Sequence, residues 1–373
     1  HLFRSALLGN NETTLMILSR HSTLISNVGT FSLISASICT AFLYRSLSNR
    51  YHEGKIISTR NYLTTFFARV RMRRTITRLL PLFRQSKSDA AASARINFTE
   101  KDVIVFTPPK CGTTWVTHMC HQIRMHGEAK LAFDDQDDVV PWIERLGTGY
   151  LAGTRFNDDP DGSHLAEPRV FKSHLSWAER PVGRYKQIWV FRDCVEMMVS
   201  VSKFLPSLWG IKPPLTTTEM CSFLLDSGDV ERSLEDLVRV WPHRHDGDVL
   251  MLFYEDMLQD HPGTVKRLAD FMDVSLDPGE LERIVDQTTK EAMLKHHRAF
   301  ACVKQATNAH RALGLVLDPT KLAGKVRRPT TNDREVVDER IRAAVDRAWM
   351  HVVAKKIGIS DYSTLRKAVA DRS

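Results

Sequence analysis

The stretch 103-VIVFTPPKCGTTW-115 decides how the rest of the chain is read. Residues 103–107 are β-prone, follow the charged pair Lys101-Asp102 and stop at Pro108-Pro109, which predicts a buried strand running into a loop. The loop is PPKCG. Beyond it Thr113 and Thr114 are placed to cap a helix whose body, residues 115–125, carries apolar residues at helical spacing. Strand, glycine turn and helix N-terminus form a phosphate-binding geometry, because free backbone N–H groups and the positive end of the helix dipole converge on one point. Lys110 adds a full charge.

The nucleotide triphosphatase loop GxxxxGK[ST] places its lysine after the second glycine, beside a magnesium-holding hydroxyl. Here the lysine precedes a single glycine, and GxxxxGK[ST] occurs nowhere in the chain. That order disfavours ATP or GTP with magnesium, so a phosphoryl-transfer enzyme stands as the lesser alternative. The nine residues 107-TPPKCGTTW-115 instead resemble the PKSGTTW phosphosulfate loop of the cytosolic-type sulfotransferases, with Cys111 in place of the usual serine. The resemblance implies that Lys110, Cys111, Gly112, Thr113, Thr114 and Trp115 contact 3′-phosphoadenosine 5′-phosphosulfate.

Charge is distributed unevenly. Residues 1–95 hold 12 Arg and 2 Lys against 3 acidic residues, and the whole chain carries +8, which leaves residues 96–373 at −3. The basic character belongs to an N-terminal extension and is no sign of nucleic-acid binding by the main domain, residues 96–373. Within the extension residues 22–44 lack any charge and are long enough to cross a hydrocarbon core of ~30 Å. Two readings fit: a membrane anchor, which the following arginines would orient with the main domain cytosolic, or a cleaved organellar targeting segment in an Arg- and Ser-rich arm. The main domain is expected in the cytoplasm, on the cytosolic face of a membrane, or in an organelle. Six cysteines without a CxxC pair suit a reducing compartment.

Further along, the acidic run 134-DDQDD-138 reads as a solvated loop, and 140-VPWIE-144 resembles the acceptor-side segment of the family, with Trp142 as a substrate-lining candidate. Residues 169–174, RVFKSH, read as a second strand whose alternation places Lys172 and His174 on one face. Moving a proton from an acceptor near neutral pH calls for a base, usually histidine. KSHL matches the family's K[ST]HL, and this implies that His174, among 15 histidines, is the catalytic base and that Lys172 holds the sulfuryl group. His118 and His121, one helical turn apart, lack an apparent third metal ligand.

A third strand, residues 187–191, ends at Arg192, and a helix follows over 195–204. FRDxxxxxxS resembles the family's 3′-phosphate signature, which implies that Arg192 and Ser200 hold that phosphate; a planar guanidinium suits bidentate phosphate recognition. After a helical section over 217–241, the segment 248-DVLMLFYEDM-257 reads as a fourth strand that resembles the family's YEDM, placing Tyr254 near adenine. Amphipathic helices are expected over 262–272, 278–287 and 289–299. TTKEAM is similar to TSFxxM and brings Thr288 and Met293 to the adenine, although Lys290 replaces a phenylalanine. The family's closing RKGxxGxWK has its nearest match in 324-GKVRRPTTN-332, where Arg327 and Arg328 align but Pro329 replaces glycine. Two helices, 333–356 and 362–369, end the chain.

The expected fold is a single P-loop-like α/β domain, a short parallel sheet flanked by helices, with the basic extension preceding it. The resemblance implies in-line sulfuryl transfer from the phosphosulfate to a hydroxyl or amine of a small-molecule acceptor, without a metal, because lysine and arginine supply the positive charge. The altered loop at Arg327-Arg328-Pro329 keeps a second reading open: a weakly active or inactive binding protein of this fold, tethered at a membrane.

Overall fold

The computed structural model describes residues 96–128, 133–146, 156, 159, 161, 164–208, 216–304, 306–307, 325–326 and 337–370. The uncharged segment 22–44, the rest of the extension, most of the loop 147–163, and Arg327 and Arg328 lie outside the described residues. Among the described residues no helix is long and apolar enough to cross a membrane.

Four strands form the sheet: β1 (Val103–Phe106), β2 (Val170–Ser173), β3 (Lys186–Phe191) and β4 (Val249–Phe253). They pair in the order β2-β1-β3-β4, and every pairing is parallel. In β1 and β2 every residue is buried, as expected of strands covered on both faces. The period of two sorts their side chains between two cores. Ile104, Phe106, Phe171, Trp189, Phe191, Met251 and Phe253 face one core. Val103, Val105, Val170, Ile188, Val190 and Leu252 face the other.

Helices complete the two outer layers. The second core is closed by α1 (Thr113–Arg124), the short α5 (Tyr254–Gln259), α6 (His261–Phe271), α7 (Pro278–Gln287) and α8 (Lys290–Lys295). The first is closed by α2 (Cys194–Leu208), α3 (Thr217–Asp226), α4 (Asp229–Val240), α9 (Glu339–Trp349) and α11 (Tyr362–Ala370). Between α9 and α11 the chain passes through the π-helical turn Met350–Ala354 and α10 (Lys355–Ile357). This is the expected α/β architecture. Because the chain leaving β1 runs to β2 on one side and the chain leaving β3 runs to β4 on the other, the two connections diverge, which opens a crevice at the carboxyl edge of the sheet.

Several local expectations need correction. Gly112, in the left-handed region at φ 105°, is the N-cap of α1 with no side-chain capping bond, so Thr113 and Thr114 begin the helix rather than cap it. The fourth strand ends at Phe253, and Tyr254-Glu255-Asp256 open α5. The section 217–241 is broken at Gly228, φ 76°, into α3 and α4. The acidic run is not a solvated loop: Asp135, Gln136 and Asp137 are buried, and residues Gln136–Asp138 form a 3₁₀ turn. Its charges meet lysines from distant segments, a pairing that composition within the run cannot reveal.

Candidate active site

The crevice is built from the ends of all four strands. After β1, Lys110 takes a left-handed conformation (φ 69°) and Gly112 another, an alternation that turns successive N–H groups toward one side and forms an anion-binding nest. Among the described residues the N–H groups of Gly112, Thr113 and Thr114 donate to no acceptor, while Trp115 and Val116 already bond back to the Gly112 carbonyl at 2.9 and 3.0 Å. Gly112 is required twice over: by its φ, and because a Cβ would stand 2.8 Å from Tyr254 Cδ2. Lys110 Nζ rests 4.0 Å from the centre of the Phe204 ring. Cys111 is fully buried in the first core, and burial pushes its thiol up to about 12, so it remains protonated.

The end of β2 meets this loop. His174 is half-buried, and its Nδ1 lies 2.7 Å from the Thr107 carbonyl. A carbonyl accepts only, so Nδ1 carries the proton and Nε2 keeps the lone pair. Thr107 Oγ1 is 3.2 Å from Nδ1 and 2.5 Å from Thr113 Oγ1, which links the histidine to the first residue of α1. The His174 backbone N–H donates to the buried Glu144 carboxyl, whose pKa burial raises. Trp142 stands edge-on to the imidazole at 5.0 Å. Burial first, then Lys325, Lys172 and Arg145, outweigh the bond to Thr107 and lower the His174 pKa to about 3, so the ring is neutral at physiological pH.

Lys172 lies near His174 but is already engaged by another partner. Its Nζ is buried and hydrogen-bonded to Asp137. Burial opposes its charge, but Asp137 and the groups around it prevail and hold its pKa above the ordinary value. Lys325 donates to Cys302 Sγ at 2.7 Å, and Lys304 pairs with Asp138 at 2.6 Å. Asp135, in the same cluster, is raised to about 6 by burial and then by the Asp137 charge. Asp135, Asp137 and Cys302 bring ligand atoms within 4.8 Å of one another, yet ammonium groups already neutralise the cluster, which makes it a poor host for a cation.

Arg192 ends β3. Its guanidinium lies 4.3 Å from the Tyr254 ring centre, donates to the Lys110 carbonyl at 3.3 Å and approaches Glu196 at 3.5 Å, while its buried Nε has no partner among the described residues. Asp193 does not pair with Arg192 among the described residues; it caps α2 by accepting from the Glu196 N–H at 3.0 Å. Ser200 stands half-buried two turns along α2.

Trp115, Tyr254 and Met293 pack in the second core, beside Thr288. The Trp115 indole donates to the Thr288 carbonyl at 2.8 Å and meets Tyr254 edge-on at 5.9 Å. Thr288 and Met293 are buried. His261, which the sequence reading overlooked, packs on Trp115 at 5.2 Å and bonds Thr288 Oγ1 at 2.9 Å. Thr107, Glu144, Asp137 and Lys325 were overlooked as well; of these, only Thr107, the last residue of the predicted strand, carried a positional signal. His118 and His121 are both buried on α1, His121 accepting from Arg124, and they form no metal-ligating group among the described residues. A cleft of about 470 Å³ lined by Arg124, His126 and Arg283 opens at the far end of α1, away from the crevice.

Comparisons with known proteins bear on the family and the fold. The sequence model of the sulfotransferase domain matches residues 100–312. Sulfotransferase 2A1 of Homo sapiens is 27% identical over 215 residues, covering 56% of this chain and 72% of that protein. Mouse sulfotransferase SULT7A1, solved complexed with PAP, superposes with a TM-score of 0.52 at 16% identity, covering 77% of this chain and 95% of the other. Retinol dehydratase, solved with retinol and PAP, gives 0.50 at 18% identity over 73% and 87%. At such identities the structural likeness establishes the fold.

Proposed function

The chain belongs to the sulfotransferase domain family, and on that premise we propose that it moves a sulfuryl group from 3′-phosphoadenosine 5′-phosphosulfate to a hydroxyl or amine of a small-molecule acceptor, with His174 as general base. The donor supplies a sulfuryl group activated by its attachment to phosphate. The residues present suit such a nucleotide: an anion nest with N–H groups to spare, an arginine with an orphaned buried Nε, and an indole, a phenol and a methionine beside them. PAP, the desulfated nucleotide, occupies the solved relatives. A small organic acceptor is in keeping with the retinol bound by retinol dehydratase.

The observation that carries the proposal is the bond from His174 Nδ1 to the Thr107 carbonyl. It fixes the tautomer, leaves Nε2 as the proton acceptor and ties the base to the strand that launches the phosphate loop. Lys110, the loop N–H groups and the hydroxyls of Thr113 and Thr114 hold negative charge on the nucleotide phosphate, and such preorganised electrostatic stabilisation usually contributes most to the rate of group transfer. Arg192 and Ser200 take the 3′-phosphate, together with Arg327 and Arg328. Trp115, Tyr254, Thr288 and Met293 enclose the adenine, with Cys111 supporting the loop from the core. Trp142 lines the acceptor side. Lys172 reaches the sulfuryl oxygens only by exchanging Asp137 for them.

The test pairs binding with turnover. Full-length protein is expected to gain thermal stability with PAP equally with and without magnesium, and Lys110→Ala to lose that gain. His174→Ala is expected to lower turnover about 10²–10⁴-fold with PAP affinity nearly unchanged. Unimpaired turnover in that variant overturns the assignment of the base.

A further inference from the structure

The last helix, α11, lies beyond residue 312, where the match to the family domain ends. Its polar contacts run to α5, and through Glu255 of α5 they reach the residue after Arg192. Tyr362 donates its hydroxyl to Glu255 Oε2 at 2.7 Å, and the other oxygen of that carboxylate accepts the Asp193 backbone N–H at 3.2 Å. Glu255 thus spans from α11 to the residue after Arg192. One turn further, Arg366 donates to Asp256 through Nε at 3.0 Å and again through its terminal nitrogen. The residue before these two acids is Tyr254, whose ring lies under the Arg192 guanidinium and over Gly112.

The anchor itself is firmly seated. Leu365 is fully buried in the first core. The Tyr362 ring meets Phe253, the last residue of β4, edge-on at 5.7 Å, and Trp349 at 6.1 Å, while the Trp349 indole donates to the Ile359 carbonyl at 3.0 Å. Burial, then the Glu255 charge, raise the Tyr362 pKa well above that of an ordinary phenol, so the hydroxyl remains a donor. Hydrogen bonds to a carboxylate are stronger than neutral ones, and bidentate phosphate recognition by arginine tolerates little error of placement.

We propose that Tyr362 and Arg366 are positioning residues for the nucleotide: through Glu255 and Asp256 they set the spacing between the β3 and β4 loops and so aim Arg192 at the 3′-phosphate. The proposal rests on the reading of Arg192 as a ligand of that phosphate. It gives a segment outside the family match a part in donor recognition.

Calorimetric titration of the full chain with PAP, and with adenosine 5′-phosphate, which lacks the 3′-phosphate, tests it. Tyr362→Phe and Arg366→Ala are each expected to raise the Kd for PAP about 5- to 20-fold, leaving that for adenosine 5′-phosphate within about twofold. Arg366→Lys is expected to recover part of the loss. Equal weakening toward both nucleotides marks a general structural defect and overturns the proposal. Wild-type affinity for PAP in both α11 variants overturns it too, and if Arg192→Ala has meanwhile lost PAP, the functional reading survives alone. Failure of the wild-type protein to bind PAP removes both.

Discussion

Residues 107–115 and residues 134–138 are both polar stretches beside β1, and they obtain their chemistry in opposite ways. The first is a backbone site. Its nest is made by two left-handed residues, one a glycine, and by a helix start, all within nine positions. The second is a side-chain site. Asp137 is neutralised by Lys172, 35 residues on, and Asp138 by Lys304, 166 residues on. Gln136 joins the two, donating from Nε2 to the Thr114 carbonyl at 2.9 Å and to Thr117 Oγ1 at 3.0 Å. A site made of main-chain conformation is written in neighbouring residues, whereas a charge-pair site is written in residues that only the fold brings together.

The sharpest test of this contrast is Lys172→Met. It strands a buried carboxylate and is expected to cost about 3–5 kcal/mol of stability, read from the denaturant midpoint; Lys172→Met with Asp137→Leu together should recover most of it. A cost below about 1 kcal/mol in the single variant would show that Lys325 or water, rather than Lys172, balances the Asp137 charge.

A smaller effect is expected from His118, buried on α1 and edge-on to Phe133 and Phe300 between the two regions. Burial lowers its pKa to about 4 from 6.5. Between those values the unfolded chain binds a proton that the folded chain refuses, so stability is full above pH 6.5 and is lost as pH falls toward 4, by about 3 kcal/mol. His174 acts in the same sense. His118→Met should therefore flatten the fall in stability over that range, and parallel curves for variant and wild type would remove His118 from the account.

The least stability is at stake in the backbone site. Gly112→Ala meets Tyr254 and an unfavourable φ, an expected cost of about 1–2 kcal/mol. Its effect should fall on PAP affinity rather than on the melting temperature. The reverse pattern would mean that the loop conformation serves the fold more than the anion.

Much of the architecture was legible because buried parallel strands are short apolar runs stopped by Pro, His, Arg or Tyr. Strand ends moved by a residue or two, and the end of β4 by four, since alternation marks a strand's middle better than its limits. The loop residues, His174, Arg192 and Tyr254 stand at strand ends, but it was their resemblance to the family's motifs that singled them out in the sequence. The burial of Asp135 and Asp137, the engagement of Lys172, the backbone bond from His174 to Glu144 and the packing of His261 on Trp115 were not, because each depends on a partner far along the chain. The π-helical turn Met350–Ala354 left no mark in a sequence read as one continuous helix.

The strand order also dictates a schedule of synthesis. Val103 pairs with Val170 and Lys186, so at about 5–20 residues per second the ribosome leaves β1 without either neighbour for roughly 3–13 s. Its apolar faces are exposed for that interval, and the nascent chain is then a natural client for a holding chaperone, until β3 emerges and closes the sheet around it.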